Sequence, residues 1–307
     1  MIKEVEEIIR KIKAKEIAGA DDTAIASAKA LSILAKRSEA KTAKEFQKEV
    51  NYIANRLIDA RPSSSSLRNC VSSVIREVEA AGDVKFVNLR NLVEASASKF
   101  VERINEAKSR IGEIGSKRIR DGDVILTHGF STTVLAILKK VAEEGKSVHV
   151  FVTEARPKFE GREMAQKTSE LGLPVTLIVD SAVRVFINDF DHVLIGAEAI
   201  AVNGAVISKV GAAAVATLAH ETRVRTLVAA GTYKLSPETV IGELVEIEEG
   251  DRRQVLDSEI SAKMKNVDVR NPLYDVTPPQ YIDAIITEKG IVPPQGAYLM
   301  LRQMMEG

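Results

Sequence analysis

The hydrophobic positions of the chain change their period near residue 120. In VEEIIRKIKAKEI (Val5 to Ile17) they fall at Val5, Ile8, Ile9, Ile12 and Ile17, close to the 3.6-residue repeat of a helix with one buried stripe. TAIASAKALSILAKR is rich in alanine and leucine, with little to break a helix. TAKEFQKEVNYIANRLIDA continues the pattern as far as Arg61-Pro62, where the proline disfavours helix in the residue before it. Ser63 to Ser66 supply a cap for LRNCVSSVIREVEAAG, and a long helix from about Leu89 to Ile119 follows. The pattern predicts a helical domain over residues 1–120.

From Asp121 short β-branched runs take over: VILTH, SVHVFVTEA, PVTLIVD, HVLIGAEAI and RTLVAAG. Between them lie STTVLAILKKVAEEG, GREMAQKTSELG, SAVRVFIND and GAAAVATLAHETR, which read as helices. Continuous apolar strands alternating with helices predict an α/β domain over residues 121–307, its mostly parallel sheet covered on both faces. Ligands of such sheets sit at the carboxyl ends of the strands. Four strand ends therefore matter: Thr127 to Ser131, Glu154 to Arg156, Asp180 to Ser181 and Gly196 to Asn203. Neither GxGxxG nor GxxxxGK[ST] occurs, so a dinucleotide or P-loop nucleotide lacks support, and no cofactor or metal is expected.

Composition narrows the class further. A length of 307 residues suits two domains. Basic and acidic side chains balance at 43 each, which argues against a surface built for direct nucleic-acid binding. Cys70 is the single cysteine, so no intrachain disulfide forms, as in a reducing compartment. The charged amphipathic start is unlike a signal peptide, and no apolar run approaches the roughly 20 residues of a membrane span. A cytoplasmic protein with no membrane partner is expected.

The strand ends offer candidate chemistry. His128-Gly129-Phe130-Ser131 can present backbone N–H groups and a hydroxyl to an anion at a helix start, although a serine before an apolar helix is equally an ordinary cap. Arg156 and Lys158 follow a strand, where arginine can grip phosphate through paired hydrogen bonds or simply sit in solvent. Asn203-Gly204 between apolar runs predicts a tight hairpin. Glu198 and Lys209 then lie across that hairpin, as an acid–base pair, a ligand clamp or a structural ion pair. His128 is more often a packed strand-end residue than a catalyst. Arg61 stands in the one basic, hydroxyl-rich loop of the helical half. These residues suit a phosphate-bearing ligand in a polar interdomain cleft and leave the reaction open.

Six ordered stretches resemble one family: RPSSSSLRN, GDVILTHGFS, VFVTEARPKFEGREMA, LGLPVTLIVDSAV, VLIGAEAIAVNGAVISKVGA and NPLYDVTPPQYIDAIITEKGIVPP. The family joins the alpha, beta and delta subunits of eukaryotic initiation factor two-B to archaeal relatives and to isomerases of ribose 1,5-bisphosphate and methylthioribose 1-phosphate. The resemblance implies a helical amino-terminal domain, a Rossmann-like second domain and a homodimer through the latter. In the isomerases the position of Gly129 is a cysteine and that of Glu198 an aspartate, the two groups that shuttle protons. Their asparagine before lysine is Ser208 here, and their RGAGR phosphate segment is AGADD (Ala18 to Asp22). HGFS is closer to the alpha subunit's loop. The resemblance thus implies a non-catalytic, alpha-subunit-like regulatory protein that interacts with initiation factor two, its alpha subunit being one candidate partner. Its ligand would be a sugar phosphate or nucleotide monophosphate, held by Arg61, Gly129, Ser131, Arg156, Glu198, Asn203 and Lys209. The alternative is an aldose–ketose isomerase acting through Glu198 with His128.

Overall fold

The structure, a computed structural model, describes residues 2–17, 19–82 and 85–306. The chain divides into two compact units, Met1–Ala107 and Lys108–Gly307, and the division falls inside a helix ahead of residue 120.

The first unit is helical: α1 (Lys3–Lys13), α2 (Ala20–Arg37), α3 (Ala43–Ala60), α4 (Ser65–Ala80) and the start of α5 (Phe86–Ser116). Each helix buries the stripe its spacing predicts: Val5, Ile9 and Ile12 on α1, and Phe46, Val50, Ile53 and Leu57 on α3. Thr42 caps α3, its hydroxyl accepting from Glu45 N–H at 3.2 Å while the Glu45 carboxylate accepts from Lys41 N–H at 2.9 Å. Ser64, from the serine run, caps α4. Of the AGADD stretch, Ala18 lies outside the described residues, and Asp21 and Asp22 form the first turn of α2.

The second unit is the predicted α/β domain. Its strands are β1 (Val124–His128), β2 (His149–Thr153), β3 (Val175–Ile178), β4 (His192–Gly196), β5 (Ala199–Ile200), β6 (Val206–Lys209), β7 (Arg225–Ala229), β8 (Tyr274–Thr277), β9 (Ala284–Thr287) and β10 (Gly290–Val292). Its further helices are α6 (Thr132–Glu143), α7 (Glu160–Glu170), the single turn α8 (Val183–Phe186), α9 (Ala212–Thr222), the short α10 (Ser258–Ser261) and α11 (Ala297–Glu306). The predicted helix SAVRVFIND is therefore only α8 between two 3-10 turns.

A seven-stranded sheet runs in the order β10-β9-β7-β4-β1-β2-β3, parallel throughout except for β10. Alternation along each strand feeds two cores. Ile125 and Leu194 face the layer of Val134, Ile137, Leu138 and Met164, whereas Leu126, Val193 and Ile195 face that of Val215, Ala219, Met300 and Leu301. On the first face Gly112 and Gly115 let α5 press on α6, since a Cβ at Gly115 would lie 2.4 Å from Ile137. β1 leads to β2 and β3 on one side, while β4 leads to β7 and β9 on the other. The chain therefore reverses its direction of winding between β1 and β4, where doubly wound sheets open a crevice. A second, three-stranded sheet, β5-β6-β8, carries the Asn203-Gly204 hairpin. Among the described residues no helix is long and apolar enough to cross a membrane.

Candidate functional site

The crevice between β1 and β4 is built from loops that start at two strand ends. β1 ends at His128, and Gly129 turns the chain with φ +74°, a conformation that glycine adopts without strain. Ser131 then caps α6, its hydroxyl accepting from Val134 N–H at 3.3 Å. From the other side β4 ends at Gly196, where a Cβ would lie 2.4 Å from Ser131 Oγ. The two strand ends meet at that hydroxyl.

His128 is a strut in this arrangement. Its ring is buried, with Nε2 at 2.8 Å from the Val210 carbonyl and Nδ1 at 2.6 Å from Thr153 Oγ1. A carbonyl only accepts, so Nε2 carries the proton and Nδ1 accepts from the threonine hydroxyl. Burial pushes the imidazole pKa down, against opposing pulls from the Val210 carbonyl, Asp180 and Asp275. Neither ring nitrogen is left to take a substrate proton, which removes His128 from the candidate catalytic pair.

Glu198 and Lys209 are placed by the hairpin. Gly204 N–H and Ala205 O close its loop on Ala201, each at 2.9 Å, and Gly204 takes φ +84°. This is a turn followed by a left-handed glycine, one residue longer than the tightest hairpin. The Asn203 side chain serves that turn, its Oδ1 accepting from Ala205 N–H at 3.0 Å, so Asn203 sits at the hairpin tip. Glu198, 5% exposed, lies just before β5, and its backbone N–H donates to Ile207 O at 2.8 Å. Lys209 ends β6. Its stem crosses Gly129, where a Cβ would stand 3.3 Å from both Lys209 Cβ and Cγ, and its ammonium pairs with Glu160 at 2.9 Å. Ser208 Oγ is buried without a hydrogen-bond partner among the described residues.

Two aspartates fix the surrounding loops. Asp180, at the end of β3, accepts from Ala155 and Arg156 N–H through its two oxygens, both at 2.8 Å, and so shapes the turn after β2. Arg156 itself is exposed, with its guanidinium 5.0 Å over the Phe159 ring. Asp275, on β8, accepts from Gly211 N–H at 2.7 Å and from Ala213 N–H at 3.2 Å, holding the start of α9. Burial raises the Asp275 pKa, and those N–H groups oppose the rise. Arg61 belongs to the helical unit, where it is buried and donates to Thr23 Oγ1 at 2.6 Å and to the Ile17 and Gly19 carbonyls.

Gly129, Ser131 and Glu198, on loops, and Lys209, at the end of β6, thus lie around the point where the winding reverses, and Arg156 follows the neighbouring strand. A buried carboxylate, a cation and backbone N–H groups at a helix start suit a polar anion that also undergoes proton transfer. Among the described residues no cluster of three or more His, Cys, Asp or Glu is placed to hold a metal. Thr153, Glu160 and Asp275 were missed in the sequence, because each matters through a partner many residues away. Asp180 had at least the signal of ending an apolar strand.

Residues 16–294 match the model of the initiation factor 2 subunit family. The ribose 1,5-bisphosphate isomerase of Thermococcus kodakarensis is 44% identical, over 99% of this chain and 95% of its own. The enzyme of the same name from Pyrococcus furiosus is 43% identical, over 99% and 94%. A crystal structure of the Pyrococcus horikoshii translation initiation factor eIF-2B superposes with a TM-score of 0.82 at 31% identity, covering 96% of this chain and 98% of the other. These isomerases overturn the expectation of a non-catalytic regulatory subunit. That expectation rested on Gly129 and on three further departures, at Glu198, at Ser208 and in the AGADD stretch. Losing one proton carrier closes one route for a proton and leaves other groups in the same crevice to carry it, whereas the likeness to the isomerases extends along the whole chain.

Proposed function

The chain belongs to the initiation factor 2 subunit family, and we propose that it acts there as an aldose–ketose isomerase of phosphorylated sugars, with ribose 1,5-bisphosphate as the type substrate. The observation that carries this reading is its end-to-end likeness to ribose 1,5-bisphosphate isomerases. The buried Glu198 carboxylate supports it as a group able to carry a proton.

Converting a furanose 1-phosphate into a 2-ketose opens the bond between C1 and the ring oxygen. It also moves one hydrogen from C2 to C1 and leaves a carbonyl at C2. The ring oxygen gains a proton, the C2 hydroxyl loses one, and the sum is a pure rearrangement. In this reading the Glu198 carboxylate takes and returns protons at C1 and C2. Lys209 offsets phosphate charge, and the N–H groups around Gly129 and the Ser131 hydroxyl hold phosphoryl oxygens. Arg156, on its exposed loop, reaches the second phosphate. Gly129 contributes backbone and no side chain, so the proton traffic falls on Glu198.

The test is incubation with ribose 1,5-bisphosphate, watching by carbon NMR for the ketone carbon. Ketose should form, and Glu198→Gln, which keeps the shape and removes the base, should lower kcat by roughly 10²–10⁴ with a smaller change in KM. Absence of ketose from both ribose 1,5-bisphosphate and methylthioribose 1-phosphate would dispose of the reading.

A further inference from the structure

We propose that Glu160 is a specificity-determining residue: an internal carboxylate that a ligand must displace from Lys209, which restricts the crevice to phosphate dianions. The inference rests on the reading of Lys209 as a phosphate-binding cation.

Lys209 is not waiting for a ligand. Its Nζ lies 2.9 Å from Glu160 Oε2, with the lysine side chain 12% exposed and the glutamate 27%. Its stem runs over Gly129, filling the space a side chain there would claim. The backbone that carries Glu160 is held in place as well. It opens α7, and the next residue, Gly161, is pressed so close to β2 that a Cβ would lie 1.7 Å from the Thr153 carbonyl. Gly161 N–H also donates to Glu154 O at 3.2 Å. The neighbouring Arg162 is committed elsewhere, stacked 3.8 Å over Phe159 and paired with Glu154 at 3.2 Å.

An incoming carboxylate would exchange one monoanion for another on Lys209 and leave Glu160 beside a like charge. That exchange gains nothing. A phosphoryl group brings nearly two charges and three acceptor oxygens, so its attraction to the lysine exceeds that of the resident carboxylate. Selectivity then comes from the competitor within the protein as much as from attraction to the ligand. The cost is weaker phosphate binding than an unpaired lysine would give.

Calorimetric titration of the full chain with inorganic phosphate and with acetate, at neutral pH, tests this. The unaltered protein should bind phosphate and ignore acetate. Glu160→Gln should bind phosphate about tenfold more tightly, the effect of one modest ion pair, and should bind acetate measurably. Glu160→Ala should share both changes, whereas a merely structural role would lower the melting temperature and leave selectivity intact. Lys209→Met should bind neither ion. The proposal is overturned by unchanged or weaker phosphate binding in Glu160→Gln, by continued exclusion of acetate, or by no phosphate binding in either protein. Phosphate binding in the expected pattern without ketose formation would sink the isomerase reading and leave this inference standing.

Discussion

Removing the His128 ring separates a strut from a catalyst, and the structure fixes the size of the effect. His128→Ala leaves the Val210 carbonyl and the Thr153 hydroxyl buried without their partner. Each unmet group costs about 1–3 kcal/mol, and the emptied ring volume adds to this, so a loss near 4 kcal/mol is expected. The pH dependence gives the sharper signature. The folded His128 pKa lies below the ordinary 6.5, chiefly through burial. As pH falls past that value the unfolded chain takes up a proton that the folded chain refuses. Stability tied to the neutral ring is therefore complete above pH 6.5 and drains away below it, by at most about 1.4 kcal/mol per pH unit. Asp275, whose folded pKa is raised, works in the opposite sense: its buried charge costs stability at neutral pH, and protonation at lower pH restores it. Urea unfolding followed by circular dichroism, for the native protein and for His128→Asn, isolates the histidine as the difference between the two. Between about pH 7.5 and about pH 5.5 that difference should shrink as the pH falls. A difference that stays flat, or His128→Ala costing under about 1 kcal/mol, would refute the strut.

Other substitutions follow from the same geometry. Gly161→Ala drives a methyl into the Thr153 carbonyl and should cost more than about 3 kcal/mol or abolish folding. Gly145→Ala has open space at φ +72° and should cost only the left-handed strain of about 1 kcal/mol, both read by thermal melts. Asp180→Ala strands the Ala155 and Arg156 N–H groups, so limited proteolysis should cut sooner in the turn after β2. In the isomerase assay it should raise KM more than it lowers kcat. Arg61→Met removes a buried guanidinium from Thr23 and the Ile17 and Gly19 carbonyls and should lower the melting point by the equivalent of about 2 kcal/mol.

The two apolar periods made the helical half and the parallel strands legible. VILTH, SVHVFVTEA, PVTLIVD and RTLVAAG became β1, β2, β3 and β7, each within a residue or two of its run, whereas HVLIGAEAI split into β4 and β5. The short β5 and β8 were harder, because two to four residues carry too little pattern to separate strand from loop. At the site, glycine and strand-end signals pointed to the Gly129 loop and to Glu198. What the sequence withheld was pairing. Glu198 and Lys209 stand closest in sequence, yet Lys209 takes Glu160, some fifty residues upstream, because strand order and not chain order decides who meets whom. Nor does a histidine at the end of an apolar run disclose that both its nitrogens are occupied.

The dependence on β8 bears on the order in which the protein becomes competent during synthesis. The β1 turn leaves the ribosome early, yet the start of α9 is tied by Asp275, over sixty residues further along the chain. Until that aspartate has emerged, the N–H groups of Gly211 and Ala213 lack their acceptor, and the Val210 carbonyl beneath His128 has no fixed place. A nascent chain halted ahead of β8 should therefore display most of its parallel sheet and still lack a fixed start to α9, making completion of the proposed anion site a late milestone of translation.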